Sequence, residues 1–312
     1  MSQINVLVTG GAGFIGSSLV NRLCESGKYF VVVVDNLLTG DLKRLNKNKN
    51  LKFIHADVNK LNDISTIFFS HHFDYVFHYA AVVGVNRTLN NPVLVLEDIS
   101  GMRNILDLSK NTGVKRVFFS SSSEVYGEPV ELPQNEDTTP LNSRLPYAIV
   151  KNVGEAFLKS YKQEFDLDYT IFRFFNTYGP LQSKDFVVSK FISAALKNED
   201  FTIYGDGKQS RTFCYVDDNI NACIKAFEED KYINEVINIG SDKEFKVVEL
   251  AEMIKEVSGS ESKIVHLPAL EEGDMSRRLP DTSKMKELIG YEPIGLKEGL
   301  KKLIENKEYI LS

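Results

Sequence analysis

The chain has 312 residues, of which 43% are hydrophobic and 26% are charged, with a formal net charge of −6. This composition is that of an ordinary globular protein, and the length suits one large domain with an appended lobe. With 37 basic and 43 acidic side chains, the chain lacks the basic footprint of a nucleic-acid-binding protein. The longest uninterrupted apolar run, Tyr29 to Val34, is too short to cross a bilayer.

Three further functional classes are disfavoured by the same survey. The start of the chain carries no secretion signal, so we expect a cytoplasmic protein without a membrane partner. The three cysteines are widely separated and the five histidines form no spaced ligand set. We therefore expect reduced thiols and no metal site.

The first half of the chain alternates short β-type runs with longer helical patterns. The β-type runs are Ile4–Val8, Phe30–Val34, Lys52–Ile54, Tyr75–Tyr79, Arg116–Phe119 and Tyr169–Phe172. The helical patterns are Phe14–Ser26, Leu61–Phe69, Pro92–Asn111 and Tyr147–Phe165. Apolar strands joined by crossover helices predict an α/β fold with a doubly wound parallel sheet of the Rossmann type.

After about residue 176 the alternation becomes less regular. Further strands are predicted at Phe213–Val216 and Val236–Ile239, with a hairpin-like turn at Tyr204–Gly207. Helices are predicted at Phe186–Lys197, Val247–Val257, Thr282–Ile289 and Leu296–Ile304. We therefore divide the chain into a Rossmann domain over residues 1–175, with elements from about 213–240 returning to it, and a smaller C-terminal α/β substrate lobe over residues 176–312.

A glycine-rich segment, Thr9–Gly16, ends the first strand and opens the first helix. Its glycines permit a tight turn and close approach of the backbone to a pyrophosphate, and the helix N-terminus favours the negative charge. Asp35 ends the second strand, where its carboxylate can accept hydrogen bonds from adenosine ribose hydroxyls and repel a 2′-phosphate. Asn36 follows rather than arginine, so the pattern indicates NAD rather than NADP.

Asp57 and Val58 follow the third predicted strand. At this edge of the sheet they could contact the adenine. The alternative is that Asp57 caps the next helix, because aspartate is a preferred N-cap residue.

Tyr147 and Lys151 are four residues apart at the start of a predicted helix, so both side chains point to one face. A free phenol has a pKa of about 10, and a nearby ammonium and a cationic nicotinamide would lower that pKa. Tyr147 could then take a proton from a substrate hydroxyl while NAD oxidises the same carbon. Ser122 follows the Arg116–Phe119 strand and could hydrogen-bond the same substrate oxygen.

In chain order, these motifs resemble those of the extended short-chain dehydrogenase/reductases that modify nucleotide sugars. The resemblance rests on Thr9–Gly16, Asp35–Leu37, His78–Ala81, Ser122 with Val125–Gly127, Tyr147 with Lys151, Phe175–Pro180 and Gly205–Arg211. It covers nearly the whole chain and implies that Ser122, Tyr147 and Lys151 form the catalytic trio.

The resemblance also implies two sets of binding residues. For NAD they are Gly10, Gly13, Phe14, Ile15, Gly16, Asp35, Asn36, Asp57, Val58, Tyr79, Ala80, Ala81, Tyr147 and Lys151. For a nucleotide-diphosphate sugar they are Ser123, Asn176, Val187, Tyr204, Gln209, Arg211 and Arg278. Tyr204 could stack on the base, with an ordinary packed tyrosine as the alternative.

Arginines at the substrate side have a physical rationale of their own, because a guanidinium binds phosphate in a bidentate and permanently charged manner. Arg211 is one candidate. Arg277 and Arg278 form a second candidate clamp for phosphate or carboxylate, with surface salt bridges as the alternative. Glu272 stands where many relatives carry arginine or proline, which is a departure at the usual diphosphate clamp.

Oxidation at C4 gives a ketone that family members use in four ways: they epimerise C4, expel the C6 hydroxyl, lose a C6 carboxylate or release the ketone. Ser123-Glu124 follows Ser122, where the family's dehydratases typically carry Asp-Glu, so dehydration is disfavoured. Glu124 is either a base at C5 or a partner that holds the loop. The Ser123-Glu124 pair, Phe213–Val216 and Arg277–Asp281 look more like UDP-glucuronate decarboxylases. The surroundings of Tyr147 and the segment Val82–Val85 do not follow that group closely.

We therefore expect NAD-dependent oxidation at C4 with net 4-epimerisation or 4-dehydrogenation, ahead of decarboxylation and then 4,6-dehydration. The resemblance further implies capsule or lipopolysaccharide sugar synthesis, and a homodimer or homotetramer built from the Pro92–Asn111 and Tyr147–Phe165 helices. A non-catalytic NAD-binding sensor or scaffold is the alternative from another class, since fold alone does not prove chemistry. The presence of all three members of the trio disfavours it.

Overall fold

The computed structural model describes residues 3–268 and 277–305. Its strands are β1 (Ile4–Thr9), β2 (Tyr29–Asp35), β3 (Leu51–His55), β4 (Tyr75–His78), β5 (Arg116–Ser122), β6 (Asp168–Phe174), β7 (Thr177–Tyr178), β8 (Phe201–Tyr204), β9 (Ser210–Thr212), β10 (Cys214–Tyr215), β11 (Glu235–Ile239), β12 (Glu244–Lys246) and β13 (Ile264–Leu267). Seven of them form a parallel sheet in the order β11-β6-β5-β4-β1-β2-β3. The predicted doubly wound Rossmann-type sheet is confirmed.

Helices cover both faces of this sheet, and further helices lie in the second half of the chain. They are α1 (Phe14–Glu25), α2 (Leu61–His71), α3 (Val85–Asn90), α4 (Pro92–Leu96), α5 (Asp98–Thr112), α6 (Pro146–Phe165), α7 (Val187–Lys197), α8 (Val216–Glu228), α9 (Val247–Ser258), α10 (Ser283–Ile289) and α11 (Leu296–Glu305). Within residues 3–268 and 277–305, none of these helices has the length and apolarity needed to cross a membrane.

The strand β2 shows how one run of apolar residues fills the space on both sides of the sheet. Val31 and Val33 are fully buried in the core beneath α1 and α8, whereas Val32 and Val34 are fully buried in the core beneath α2 and α5. Alternate residues of a strand point to opposite faces. A continuous valine run therefore indicates a strand covered on both sides.

The second half of the chain has a core of its own between α7, α9 and α11, which includes Phe191, Leu250 and Leu300. Two of its elements nevertheless lie on the large sheet: β11 pairs with β6 at one edge, and α8 packs against α1. Because β11 runs parallel to β6, its carboxyl end lies at the same end of the sheet as the carboxyl ends of β5 and β6.

Three predicted elements of secondary structure were wrong in detail. The helix over Pro92–Asn111 is divided at Glu97 into α4 and α5. The strand at Phe213–Val216 contains only Cys214–Tyr215, and Val216 begins α8, whose first turn is acidic and so favours a helix N-terminus. The hairpin-like turn at Tyr204–Gly207 joins strands that pair elsewhere, β8 with β13 and β9 with β12.

A buried ion pair ties α6 to the centre of the sheet. The Arg173 guanidinium on β6 donates from Nε and Nη2 to the two carboxylate oxygens of Glu155 on α6, at 2.9 and 2.7 Å. Ser121 at the end of β5 donates to the same carboxylate at 2.6 Å. Arg173 Nη1 donates to the Tyr126 hydroxyl at 2.7 Å, and this hydroxyl donates to Asn238 of β11 at 2.8 Å. Four elements of the fold therefore meet at one polar cluster.

We expect Arg173→Met to destabilise the protein by about 3–5 kcal/mol, because the Glu155 charge would stay buried without its partner. Equilibrium urea denaturation measures this loss. Arg103→Met is the matched control, since the Arg103 side chain is 70% exposed and pairs with Asp107 at 3.6 Å. Its cost should not exceed about 1 kcal/mol. An equal loss of unfolding free energy in the two variants would show that the buried pair stabilises the protein no more than the exposed pair does.

Candidate active site

A cavity of about 710 Å³ lies along the carboxyl ends of the parallel strands and continues over the second half of the chain. All of the site residues predicted from the sequence line its wall: Gly10, Gly13, Phe14, Ile15, Gly16, Asp35, Asn36, Asp57, Val58, Tyr79, Ala80, Ala81, Ser122, Ser123, Glu124, Tyr147, Lys151, Asn176, Val187, Tyr204, Gln209, Arg211 and Arg278. The fold thus brings the candidate cofactor, catalytic and substrate residues to one cleft, hereafter the main cleft.

The glycine-rich turn between β1 and α1 has no room for side chains. Gly10 has a φ of 69°, and a Cβ there would lie 2.6 Å from the Ala80 nitrogen. A Cβ on Gly16 would overlap the Gly10 carbonyl. The first i→i−4 bond of α1 runs from Ser17 to Gly13, so the preceding N–H groups of the helix point outward, and its first turn carries no acidic residue. A helix N-terminus of this kind suits an anion, and it fits the pyrophosphate of a dinucleotide.

Asp35 is held at the end of β2 by two backbone donors. Its Oδ2 accepts from the Ala12 N–H at 3.0 Å and its Oδ1 from the Leu37 N–H at 2.8 Å. The carboxylate is buried yet lines the main cleft. Its remaining lone pairs can accept ribose hydroxyls, and its charge opposes a 2′-phosphate, so the donor set fits NAD.

Asp57 does not cap the helix that follows it. The N-cap of α2 is Lys60, and Asp57 Oδ1 instead accepts from the Asn59 N–H at 3.0 Å within the preceding turn. Val58 is buried beneath α2 and α5 and also borders the main cleft. Both residues therefore shape the wall at the predicted adenine position.

The three candidate catalytic side chains meet where β5 ends. The Lys151 ammonium is buried and donates to the Ser120 carbonyl at 2.7 Å, and it lies 5.8 Å from the centre of the Tyr147 ring. Ser122 lies near enough to the Tyr147 phenol to oppose the rise of its pKa, and its Oγ accepts from the Glu124 N–H at 3.2 Å. The spacing of four residues on α6 and the serine run that ends β5 produce this arrangement.

Burial sets the protonation of the site. Burial raises the pKa of Tyr147, and the negative charges of Glu124 and Asp98 raise it further, against opposing effects of Ser122 and Arg278. The lowered pKa expected for Tyr147 is therefore not found in the protein alone, where burial has the largest effect. Burial also lowers the pKa of Lys151 to about 8. With its pKa raised, the Tyr147 phenol is protonated at neutral pH in the protein alone.

Asp98 is a site residue that the sequence analysis missed. It begins α5, where its Oδ2 accepts from the Val82 N–H at 2.8 Å and its Oδ1 from Asn59 Nδ2 at 3.3 Å. It lines the main cleft, and its charge raises the pKa of Lys151 against the effect of burial. In the sequence, an aspartate in the first turn of a helix is explained by the helix alone, so no local signal pointed to the site.

The two adjacent arginines after the undescribed segment 269–276 have different surroundings. Arg278 is buried at the main cleft and donates from Nη2 to Glu124 Oε1 at 3.1 Å. Its Nε is also buried and has no hydrogen-bond partner among the described residues. Arg277 is half exposed and pairs with Glu244 on the surface. Arg278 is therefore the candidate clamp, and the salt-bridge alternative applies to Arg277.

The other substrate-side residues surround the mouth of the main cleft. Asn176 Nδ2 donates to the Thr212 carbonyl at 3.0 Å, and Arg211 Nη1 donates to the Ser210 carbonyl at 2.7 Å. Tyr204 is 39% exposed, and Lys190 Nζ lies over its ring at 5.6 Å from the centre. Ser123 is buried, Val187 begins α7, and Gln209 donates to the Tyr204 carbonyl at 3.3 Å. Glu272 lies outside the described residues.

Comparisons with known proteins agree with this geometry. Residues 6–240 match the model of the NAD dependent epimerase/dehydratase family. The chain is 39% identical to the UDP-N-acetyl-alpha-D-glucosaminuronate decarboxylase of Bacillus cytotoxicus, over 96% of each protein.

Solved structures of similar proteins cover the same length. The structure of UDP-glucose 4-epimerase from Thermotoga maritima with UDP-glucose has a TM-score of 0.91 and 37% identity, over 97% of this chain and 98% of that one. The Thermus thermophilus UDP-glucose 4-epimerase in complex with NAD has a TM-score of 0.89 and 30% identity, over the same shares. The chain therefore belongs to the NAD-dependent epimerase/dehydratase family of extended short-chain dehydrogenase/reductases and is an NAD-dependent enzyme.

Proposed function

We propose that this enzyme oxidises C4 of a nucleotide-diphosphate sugar and that the net reaction is 4-epimerisation or 4-dehydrogenation. The observation that carries the proposal is the meeting of Ser122, Tyr147 and Lys151 in the cleft that also contains the glycine-rich turn and Asp35. Two similar solved structures are those of UDP-glucose 4-epimerases. Their names favour a uridine diphosphate as the nucleotide.

Each member of the trio has a distinct task in this reaction. Bound NAD would supply the two-electron oxidation of the sugar carbon. Tyr147 takes the proton of the C4 hydroxyl and later returns it, while Ser122 hydrogen-bonds the same oxygen. Lys151, fixed on the Ser120 carbonyl, keeps a positive charge beside the Tyr147 ring, where it stabilises the phenolate. Because the site is buried, these charges act through a low dielectric.

The second part of the proposal assigns the two regions of the chain. Residues 1–175, with the returning elements at about 213–240, would hold NAD, and residues 176–312 would hold the nucleotide sugar. Arg211 lies on the substrate side, where its guanidinium suits a diphosphate. The Tyr204 ring suits stacking on the base.

Decarboxylation is the second candidate, and the contact between Arg278 and Glu124 favours it. A ketone at C4 is β to the C6 carboxylate of a uronic acid, so carbon dioxide can leave after oxidation. The buried Nε of Arg278, which has no hydrogen-bond partner within the described part of the chain, is a donor for such a carboxylate. The Bacillus cytotoxicus relative is named as a decarboxylase of this kind of sugar.

The remaining proposals concern assembly and setting. We propose a homodimer or homotetramer in which α4 and α6 face a second copy, because Val93, Leu96 and Ile149 on these helices are 72%, 43% and 40% exposed. A cytoplasmic location and a role in capsule or lipopolysaccharide sugar synthesis follow from the family resemblance. The non-catalytic sensor or scaffold is disfavoured by the assembled trio.

Turnover of a panel of UDP-sugars, including UDP-glucose, UDP-galactose and their N-acetylated and uronic acid forms, tests the proposed function. Product mass and the absorbance of reduced cofactor are followed together. Tyr147→Phe should lower kcat by about 10²–10⁴-fold, since it removes the acid–base group. Tyr161→Phe is the matched control on α6, because its hydroxyl contacts Asp107 and does not line the main cleft.

The product distinguishes the candidates. An isomer of unchanged mass indicates epimerisation, and a product two hydrogens lighter with accumulating reduced cofactor indicates dehydrogenation. Release of carbon dioxide from a uronic acid indicates the second candidate. Full activity in Tyr147→Phe would contradict the assigned chemistry.

The pH profile tests the role of Asp98. The pKa of Lys151 is about 8 because burial lowers it, and Asp98 opposes this effect. Asp98→Asn removes the opposing charge, so Lys151 should lose its proton at lower pH and the alkaline limb of kcat should move to lower pH. Asp57→Asn, at saturating NAD, is the control and should leave the limb in place. An alkaline limb that Asp98→Asn does not move would show that Asp98 does not act on Lys151.

A further inference from the structure

A second cavity, of about 340 Å³, lies beside the main cleft. Its walls come from both halves of the chain: Phe14, Thr39, Arg44, Val83 and Arg87 on one side, and Gly179, Gln182, Ser183, Lys184, Asp185, Phe186, Ser189, Ile192, Ser193 and Leu303 on the other. We call it the Arg44 cavity. Its wall does not include Gly10, Gly13, Ile15 or Asp35, nor the substrate-side residues Tyr204, Arg211 and Arg278. Seven of its residues, including Phe14 and Lys184, also line the main cleft, so the Arg44 cavity adjoins the main cleft and differs from it by Arg44 and Arg87.

Arg44 is a buried cation without a paired acid. Only 6% of the residue is exposed. Its Nε donates to the Leu181 carbonyl at 3.1 Å, and its Nη1 donates to the carbonyls of Ala12 and Thr39 at 3.2 and 3.0 Å. Among residues 3–268 and 277–305, no carboxylate lies within 4.0 Å of the guanidinium and Nη2 has no acceptor.

This arrangement is costly in the absence of an anion. Burial lowers the pKa of Arg44, against a weaker opposing effect of the charges of Asp41 and Asp35. A buried charge normally has a partner that repays its lost hydration. Carbonyl groups engage three of the five guanidinium N–H groups, and the two that remain are both on Nη2, which can donate to an acceptor in the cavity.

Two more cations share the Arg44 cavity. Arg87 donates from Nη1 to the Val83 carbonyl at 2.7 Å, and its Nη2 lies 3.9 Å from Asp185, a loose contact between partly exposed side chains. Lys184 is exposed and lines both cavities. Three cationic side chains thus face one carboxylate, and serine hydroxyls stand on the α7 side of the wall. The balance of charge favours an anion.

We propose that the Arg44 cavity binds a phosphate-class oxyanion, either free phosphate or the phosphoryl group of a small metabolite, in addition to NAD and the sugar nucleotide. Arg44 supplies a buried positive charge and the N–H groups of Nη2 as donors to one oxygen of the oxyanion, and Arg87 and Lys184 supply the further positive charge. The volume accommodates a phosphoryl group with a small organic substituent. The anion would join Arg44, beside the glycine-rich turn, to the loop that leads into α7.

Calorimetric titration of inorganic phosphate into NAD-saturated protein, at constant ionic strength, tests this site. We expect saturable binding of one phosphate per chain. Arg87→Gln and Lys184→Gln should each weaken binding by about tenfold or more, since each removes a charge-assisted contact. Arg44→Met should abolish it, but Arg44 also holds three carbonyls, so the other two variants carry the test if that variant fails to fold. Lys43→Gln, an exposed neighbour outside the cavity, is the control and should bind normally.

Three results would overturn the proposal. One is the absence of saturable phosphate binding. Another is binding that Arg87→Gln and Lys184→Gln leave unchanged. The third is binding that is found only without NAD and is displaced by it, because the cations would then serve the cofactor's own diphosphate. The readout is heat of binding, so failure of the proposed sugar chemistry would not affect it.

Discussion

Arg173 of β6 and Glu155 of α6 are buried against each other in a bidentate ion pair, with both side chains 2% exposed. The position of α6, the helix that carries Tyr147 and Lys151, depends on this contact. Lys151 and Glu155 are one helical turn apart, and they engage consecutive residues of β5: Lys151 donates to the Ser120 carbonyl and Glu155 accepts from the Ser121 hydroxyl. Because α6 contacts β5 in this way, the next residue of β5, Ser122, lies beside the Tyr147 phenol on α6.

Burial removes these charged groups from water and so strengthens the ion pair. The same burial governs the chemistry of the main cleft. It raises the pKa of Tyr147 and lowers that of Lys151, so both groups are neutralised more easily than in water. A charge placed near Tyr147 or Lys151 therefore has a large effect on the pKa of that residue. The charges of Asp98, Glu124 and Arg278 act on the pKa of Tyr147, and Glu124 and Arg278 are paired with each other. Arg278 belongs to the second half of the chain, which therefore contributes directly to the electrostatics of the catalytic group.

The sequence predicted those parts of the fold that local patterns determine. The valine run of β2, the glycine-rich turn and the spacing of Tyr147 and Lys151 each have a short-range cause, and each lies where it was expected. The helix α8 was missed because its apolar start continues a β-type run, although Asp217 and Asp218 mark a helix N-terminus.

Other features depend on residues far apart in the chain. Asp98 and Lys151 approach only because α5 and α6 pack side by side. Nothing in the sequence distinguishes Arg277, which stays on the surface, from Arg278, which enters the main cleft. The unpaired charge of Arg44 likewise results from three carbonyls contributed by separate segments. Such contacts follow from tertiary packing and carry no local signal.

The central claim is that C4 of the sugar is the carbon oxidised in the main cleft. The most direct measurement uses NAD-loaded enzyme and a UDP-sugar that it turns over, labelled with deuterium at C4. Oxidation at C4 predicts slower turnover of the labelled sugar and transient reduced cofactor that carries the label. Product formation at an unchanged rate, with deuterium retained at C4 and no label in the cofactor, would contradict the assignment of Ser122, Tyr147 and Lys151 to C4 oxidation.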